Sequence, residues 1–350
     1  MRFEANDYSV PVRDAHHRVV VKGYVDVVCI CRKGDVIAEH LRLWDKEDIA
    51  FESLPVSGDV RYYIYGDATI RQLDSLGYCT LHKPDASSMK GRLQSLFRAV
   101  YRHVYDRSFA KLTAKGHVFL CTSPWYARAL MDEHHVPRDQ IAILPFCVDS
   151  EYWTPASEAA KPDALRILFV GGDFVRKGGD LLLEACKMPA FQDCQFHFVT
   201  RMLSLDMPSN ARFYTQMSAN STQLRDLVRS CDLFVLPTKG DCSSIALLEA
   251  ASCALSAIAS DIGGIADLVD NGRTGILLRD LSPPAIAEAI QTYRNDRDML
   301  QAHGHAARRK VMDQFDVRVC LAALKRTING RQRMQYVASG GTPRSRFGVE

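Results

Sequence analysis

The second half of the sequence predicts a doubly wound α/β domain, and three observations carry that reading. Short aliphatic or β-branched runs alternate with stretches of helical spacing from about residue 165 to residue 278. The runs are continuously apolar, as expected of parallel strands covered on both faces. The first of them ends in "VGGDFVRKGGDLLLEA", where glycines and two cations fill the turn between a strand and a helix. In such sheets ligands bind outside the carboxyl ends of the strands, so a turn of this composition is a candidate site.

The elements follow in order. Strands are predicted over Leu165–Val170, Gln195–Thr200, Ala211–Tyr214, Leu233–Leu236, Ser256–Ala259 and Gly275–Leu278. Helices are predicted over Gly179–Lys187, Gln223–Arg229, Ile245–Cys253, Ile265–Val269, Pro283–Asn295 and Arg297–Phe315, and a last basic one from Val317 to about Tyr336. In the first half, "KGYVDVVCICRKGD" reads as a strand after a helix ending near Gly23, and "SLFRAVYRHVYDRSFAKL" has helical spacing. "GHVFLCTSPWYARAL" reads as strand, turn and helix, with Thr122 or Ser123 as cap and Pro124 at the first helical position. The Pro- and Ala-rich "TPASEAAKPDA" separates the halves, which sets domains at 1–154 and 155–336, with residues 337–350 a disordered tail.

At 350 residues the chain is too long for one ordinary core. Its net charge of +3 is too mild to argue for nucleic acid, but suits anionic small molecules or contact with an anionic membrane surface. The eleven cysteines are scattered, without a C-x-x-C pair or zinc spacing, and read as buried thiols in a reducing compartment. No signal peptide and no membrane span is expected, so a cytoplasmic protein is predicted, peripheral at the membrane if its basic C-terminal helix "ALKRTINGRQRMQ" meets lipid rather than water.

The candidate chemistry sits in two stretches. Around Arg176 and Lys177, glycines admit close approach, a helix N-terminus offers N–H groups, and the two cations add full charge: an anion site, most naturally for a diphosphate. The pattern is neither G-x-G-x-x-G nor G-x-x-x-x-G-K-[ST], which argues against a dinucleotide fold and against a P-loop ATPase. In "LPTKGDCSSIALLEAASC", Asp241 lies in a loop and Glu249 lies eight positions on, inside the next helix. Carboxylates accept from sugar hydroxyls, while the amides of Ser243 and Ser244 at the helix start suit anions. Phosphate donors and hydroxyl acceptors in one crevice compose a nucleotide-sugar pocket.

These stretches, with "FLCTSPWYARAL", "AILPFCVDSEYW" and Gly263-Gly264, resemble the retaining glycosyltransferases of family 4 over about residues 117–315. The resemblance implies a GT-B fold: two facing Rossmann-like doubly wound domains with the site in the cleft between them. It implies that Arg176, Lys177 and Gly172 hold the donor diphosphate, that Glu249 holds the ribose, and that Asp241, Ser243 and Ser244 hold the donor sugar. Asp241 is then also catalytic, and His82 in "CTLHKPD" resembles the first-domain active-site histidine. It further implies transfer of a hexose from a nucleoside-diphosphate sugar to a saccharide or lipid-linked saccharide, in polysaccharide biosynthesis, with no metal and no cofactor. The sequence departs from the family pattern in Asp241 for Glu, in Cys242-Ser243-Ser244 for Gly-Phe-Gly, and in "PFCVD" for "PNGVD". The opening "MRFEANDYSVPVRDAHHRVVVKGYVDVV" resembles the helix and second strand of the usual first domain, shortened by its first strand and Gly-rich loop. A non-catalytic nucleotide-sugar binder is the alternative that this shortening raises. Among other residues, Asp67 is read as a helix N-cap, His134-His135 as solvated, Asp261 as a turn residue, and Asp267 as a local cap or pair.

Overall fold

The computed structural model describes residues 63–76, 103, 106–156, 164–202 and 207–328 and, as backbone strands alone, residues 2–3, 6–7, 20–23, 27–32 and 35–41. The chain divides into two compact units. One comprises residues 1–66, 83–120 and 130–141; the other comprises 67–82, 121–129 and 142–350. Three stretches that precede the Pro- and Ala-rich linker, residues 67–82, 121–129 and 142–154, group with the second unit.

In the first unit β1 (Arg2–Phe3) pairs with β2 (Asn6–Asp7), and β3 (Val20–Gly23), β4 (Val27–Arg32) and β5 (Asp35–Leu41) form an antiparallel sheet in that order. The predicted helix ending near Gly23 is thus a strand. The run "HRVVVKG" is β-branched where a helix would need long unbranched residues, and local propensity decides. A further sheet has the order β6 (Tyr63–Gly66), β7 (Val118–Cys121), β8 (Ile141–Ile143). Helix α2 covers 106–114. The segment 95–102 of the predicted helix, the linker residues 157–163, and residues 329–350, with the end of the basic helix and the tail, lie outside the described residues.

The second unit opens with α1 (Ile70–Ser75), takes in the start of α3 (Pro124–His134), and is built on a six-stranded parallel sheet. Its strands are β9 (Arg166–Val170), β10 (Gln195–Val199), β11 (Ala211–Tyr214), β12 (Leu233–Leu236), β13 (Ser256–Ser260) and β14 (Gly275–Leu278). All six fall within one residue of the predicted ranges. The spatial order β11-β10-β9-β12-β13-β14 is that of a doubly wound Rossmann sheet. Every residue of β12 and β13 is buried, which explains their unbroken apolar runs. Helices α4 (Gly179–Cys186), α5 (Thr222–Ser230), α6 (Ile245–Ser252), α7 (Ile265–Leu268), α8 (Pro283–Asn295) and α9 (Arg297–Lys310) complete the layers. Helix α9 passes into a π-helical turn, Val311–Phe315, before α10 (Val317–Ile328), so the predicted Arg297–Phe315 helix is real but changes hydrogen-bond pattern in its last turn.

The order of strands reverses between β9 and β12, and their carboxyl-end loops are neighbours at this switch point. The two stretches singled out for chemistry are these two loops.

Candidate active site

The loop after β9 is shaped by its glycines. Gly178 has φ +77°, which L side chains rarely adopt, and a Cβ there would strike the Pro237 carbonyl at the end of β12. The two loops can therefore touch only because residue 178 has no side chain. Arg176 is fixed from both sides: its Nε donates to Asp173 Oδ2 at 3.0 Å, one terminal nitrogen donates to the Gly240 carbonyl at 2.8 Å, and its own carbonyl accepts from the Lys239 amide at 2.8 Å. Lys177 Nζ forms an ion pair with Asp241 Oδ2. Gly172 lies on the outer rim of this loop, beside the Arg201 side chain at the carboxyl end of β10.

The loop after β12 is held by Thr238, whose hydroxyl donates to the Gly240 carbonyl at 3.1 Å, while Ser260 Oγ donates to the Thr238 carbonyl at 2.7 Å. Ser244 caps α6, its Oγ accepting from the Leu247 amide at 3.2 Å. Ser243 precedes it in the same turn. Cys242 is buried, and burial, with the charges of Asp67 and Asp241, pushes its thiol up to about 12, so it stays protonated.

Glu249 sits one and a half turns into α6 and is 7% exposed. Among the described residues its carboxylate has no hydrogen-bond or ion-pair partner. Burial alone pushes its pKa up to about 7. A buried carboxylate without a compensating donor is a standing cost, and such groups concentrate at functional sites.

The structure brings Arg176, Lys177, Gly172 and Asp241 to one rim, with Ser243, Ser244 and Glu249 on the loop and helix that continue from it. It adds two residues. Asp67 is not the N-cap of α1. That role belongs to Thr69, whose Oγ1 accepts from the Gln72 amide at 3.1 Å while Gln72 Oε1 accepts from the Thr69 amide at 2.9 Å, a reciprocal capping box. Asp67 is left to face Asp241: burial first, and then the Asp241 charge, raise its pKa against backbone hydrogen bonds that lower it. Helix α1 carries it there: the Leu76 carbonyl packs so close to Gly240 that no Cβ would fit. The second addition is Arg201, exposed and without an ion-pair partner among the described residues. It was missed because only the strand order puts it beside Gly172. His82 lies outside the described residues.

Other expectations resolve locally. Ser123 caps α3, accepting from the Tyr126 amide at 3.1 Å, as its position before Pro124 suggests. Asp267 accepts from the Trp125 amide at 2.9 Å, so it braces the same helix start. Asp261 pairs with Arg279. His134 is not solvated: it stacks on Phe109 at 4.3 Å and lies 3.4 Å from Asp106, whereas His135 is exposed. Among the described residues no His, Cys, Asp and Glu group could hold a metal ion, and no helix is long and apolar enough to cross a membrane.

Comparison with known proteins bears on this geometry. Residues 164–296 match the family model described as glycosyl transferases group 1, and residues 1–51 match that of the Mu transposase C-terminal domain. The second match lies over the residues that hold the antiparallel β3-β4-β5 sheet. The putative colanic acid biosynthesis glycosyltransferase WcaL of Escherichia coli K12 is 24% identical over 319 residues, covering 83% of this chain and 77% of its own. Among solved structures, sucrose-phosphate synthase from Thermosynechococcus elongatus superposes with a TM-score of 0.59 at 18% identity, over 79% of this chain and 69% of that one. Anabaena Alr3699/HepE in complex with UDP-glucose does so with a TM-score of 0.53 at 14% identity, over 65% and 69%. The fold is that of GT-B glycosyltransferases.

Proposed function

We propose that this glycosyltransferase of the group 1 kind is a retaining, metal-independent hexosyltransferase, which moves a sugar from a nucleoside-diphosphate donor to a hydroxyl of a saccharide or lipid-linked saccharide. The observation that carries the donor assignment is Glu249: a carboxylate buried without a partner, on the helix that follows the loop of Asp241. Ribose hydroxyls would supply the donors it lacks. UDP is the first nucleotide to test, since the HepE structure holds UDP-glucose.

In this reading the donor diphosphate draws Lys177 away from Asp241 and lies against Arg176, with Arg201 on the rim beside Gly172. The cations neutralise charge that develops on the β-phosphate as the bond to the sugar breaks, which is the work a metal does elsewhere. Asp241, released from Lys177, accepts hydroxyls of the sugar next to the reacting carbon, and the Ser243 and Ser244 turn borders the same space. His82 would act from the acceptor side. A cytoplasmic enzyme with peripheral membrane contact, serving polysaccharide biosynthesis, fits a lipid-linked acceptor.

A second reading is a nucleotide-sugar binder that does not transfer. It is favoured by residues 1–51, whose match is to a different family. Thermal unfolding with UDP, GDP and ADP, repeated on Glu249→Ala and Lys177→Ala, tests the donor site. A ligand at about 100 times its dissociation constant stabilises by roughly 2.7 kcal/mol. A shift lost in both variants supports the site; no shift with any nucleotide rejects it. Transfer to saccharide acceptors in the presence of EDTA, with the product anomer read by NMR, then separates the two readings and tests retention.

A further inference from the structure

Helix α10 inverts the pattern of an ordinary surface helix. Its buried residues are small, Cys320 and Ala323, while Val317 and Leu321 are 38% and 40% exposed. Leu324 and Ile328 are half-buried. Positions 317, 321, 324 and 328 follow the i, i+4, i+7, i+11 spacing of one helical face, so the four side chains form an apolar stripe beside the face that Cys320 and Ala323 bury. Single exposed aliphatic residues are ordinary on a protein surface, but four aligned ones mark a contact. The start of the helix is fixed. The Val317 amide donates to the Val148 carbonyl at 3.1 Å and the Val148 amide to the Phe315 carbonyl at 2.9 Å. Asp316, buried between them, accepts from Ser150 Oγ at 2.6 Å and from Arg318 Nε at 2.8 Å.

The polar side of the helix is cationic. Lys325 lies four positions after Leu321 and so flanks the stripe, and Arg326 follows it. Both are exposed and have no ion-pair partner among the described residues. Arg318 does not add to this charge, because Asp316 and Glu151 pair with it. The helix itself carries no acidic residue. The sequence keeps the same sign beyond it: Arg331, Arg333, Arg344 and Arg346 follow, and the first carboxylate side chain is that of Glu350. An apolar stripe edged by unpaired cations is the pattern of a helix that lies in the interface of an anionic bilayer. Charge selects this partner over a second copy of the chain, whose own α10 would bring the same sign to a two-fold contact.

We propose that α10 docks on the surface of an anionic membrane, with Val317, Leu321, Leu324 and Ile328 set into the boundary between headgroups and acyl chains and with Lys325 and Arg326 against lipid phosphates. The stripe supplies the apolar burial, and the cations supply the preference for anionic lipid. This gives the peripheral contact of the proposed function a defined surface; it rests on that reading for its purpose and on no donor-site residue for its chemistry. Because Val148 and Asp316 tie the helix start to the second unit, docking holds that unit at the lipid surface, where a lipid-linked acceptor resides.

The test sediments the full chain, without nucleotide, with vesicles of phosphatidylcholine alone and of phosphatidylcholine and phosphatidylglycerol in equal parts. The expected result is binding to the mixed vesicles only, weakening as salt is raised. Leu321→Asp should weaken binding at least about 10-fold, as for an apolar anchor kept in water. Lys325→Gln with Arg326→Gln should weaken it about 30-fold, as for two surface cations removed. If Leu321→Asp does not fold, the double charge variant decides alone. The proposal is overturned by a wild type that does not bind the mixed vesicles, by variants that bind as well as wild type, or by a dimer in analytical ultracentrifugation that Leu321→Asp dissociates. Thermal unfolding of the same samples with UDP, GDP and ADP keeps the two readings apart. A nucleotide shift without vesicle binding removes the membrane contact alone, and vesicle binding without a shift removes the donor site alone.

Discussion

Asp241 and Glu249 stand eight positions apart, on the loop after β12 and on the helix that continues it, and are 3% and 7% exposed. Their surroundings differ in one respect. Asp241 has its counter-charge in Lys177, from the loop after β9. Glu249 has no partner among the described residues, and burial pushes it up to about 7. The first carboxylate is stabilised by the protein and must be released to act. The second is destabilised by the protein and waits for a donor of hydrogen bonds. A single ligand that carries both an anion and hydroxyls would change both: it takes Lys177 with its phosphates and satisfies Glu249 with its sugar hydroxyls. A plain phosphate would address only the first, and a plain sugar only the second.

The largest effect expected is from breaking the paired side. Lys177→Ala leaves Asp241 buried without its cation, which should cost on the order of 3 kcal/mol in urea unfolding. Transfer should fall at least about 100-fold, as for other lost charge-stabilising donors. Adding Asp241→Asn should recover most of the stability and none of the activity. If the double variant regains activity, Lys177 serves only as the partner of Asp241 and the diphosphate role is wrong.

The unpaired side is probed through pH. A carboxyl with a folded pKa of about 7, above its unfolded 4.5, binds more protons when folded between those values. Its contribution to stability is therefore fully present below pH 4.5 and is lost as pH rises through 7, a difference on the order of 3 kcal/mol. Glu249→Gln should lack this slope, so unfolding of wild type and variant at pH 5 and pH 8 should diverge at the higher pH, with the variant the more stable. The variant should also bind the nucleotide more weakly. A wild type whose difference from the variant is flat with pH would place a hydrogen-bond donor on Glu249 and remove the reason to assign it a ligand.

What the sequence made legible follows from how local each signal is. The six strands of the parallel sheet are continuous apolar runs, and the switch-point loops declare themselves by Gly178 and the two cations. The spacing from Asp241 to Glu249 needs only one helix to be read correctly. Asp67 was not legible as a site residue, because "GDATIRQL" offers two caps and the better one, Thr69 with Gln72, is settled by a hydrogen bond rather than by residue type. Arg201 depends on which strand neighbours β9, and His134 on a phenylalanine in another helix. Val20–Gly23 is a strand where a helix is expected, although its β-branched valines are themselves a strand signal.

The capping box gives a sharper, smaller test. Thr69→Ala should cost about 1 kcal/mol, the usual loss at an N-cap. Asp67→Asn should cost nothing or stabilise slightly, since it removes a raised carboxyl beside Asp241. Chemical denaturation of the two variants side by side separates them. Equal losses would return Asp67 to a capping role.

The smallest effect expected is at Asp173, more than half exposed, whose pair with Arg176 is a surface contact. Asp173→Ala should change stability by about 0.5 kcal/mol or less. Its value lies in what holds Arg176 in place. If the Gly240 carbonyl, 2.8 Å from the guanidinium, sets the orientation, nucleotide affinity measured by calorimetry should stay within about 2-fold of wild type. A loss of about 10-fold would mean that the exposed carboxylate aims Arg176 at its ligand, and that the paired side of the site is organised from the loop after β9 alone rather than by the meeting of two loops.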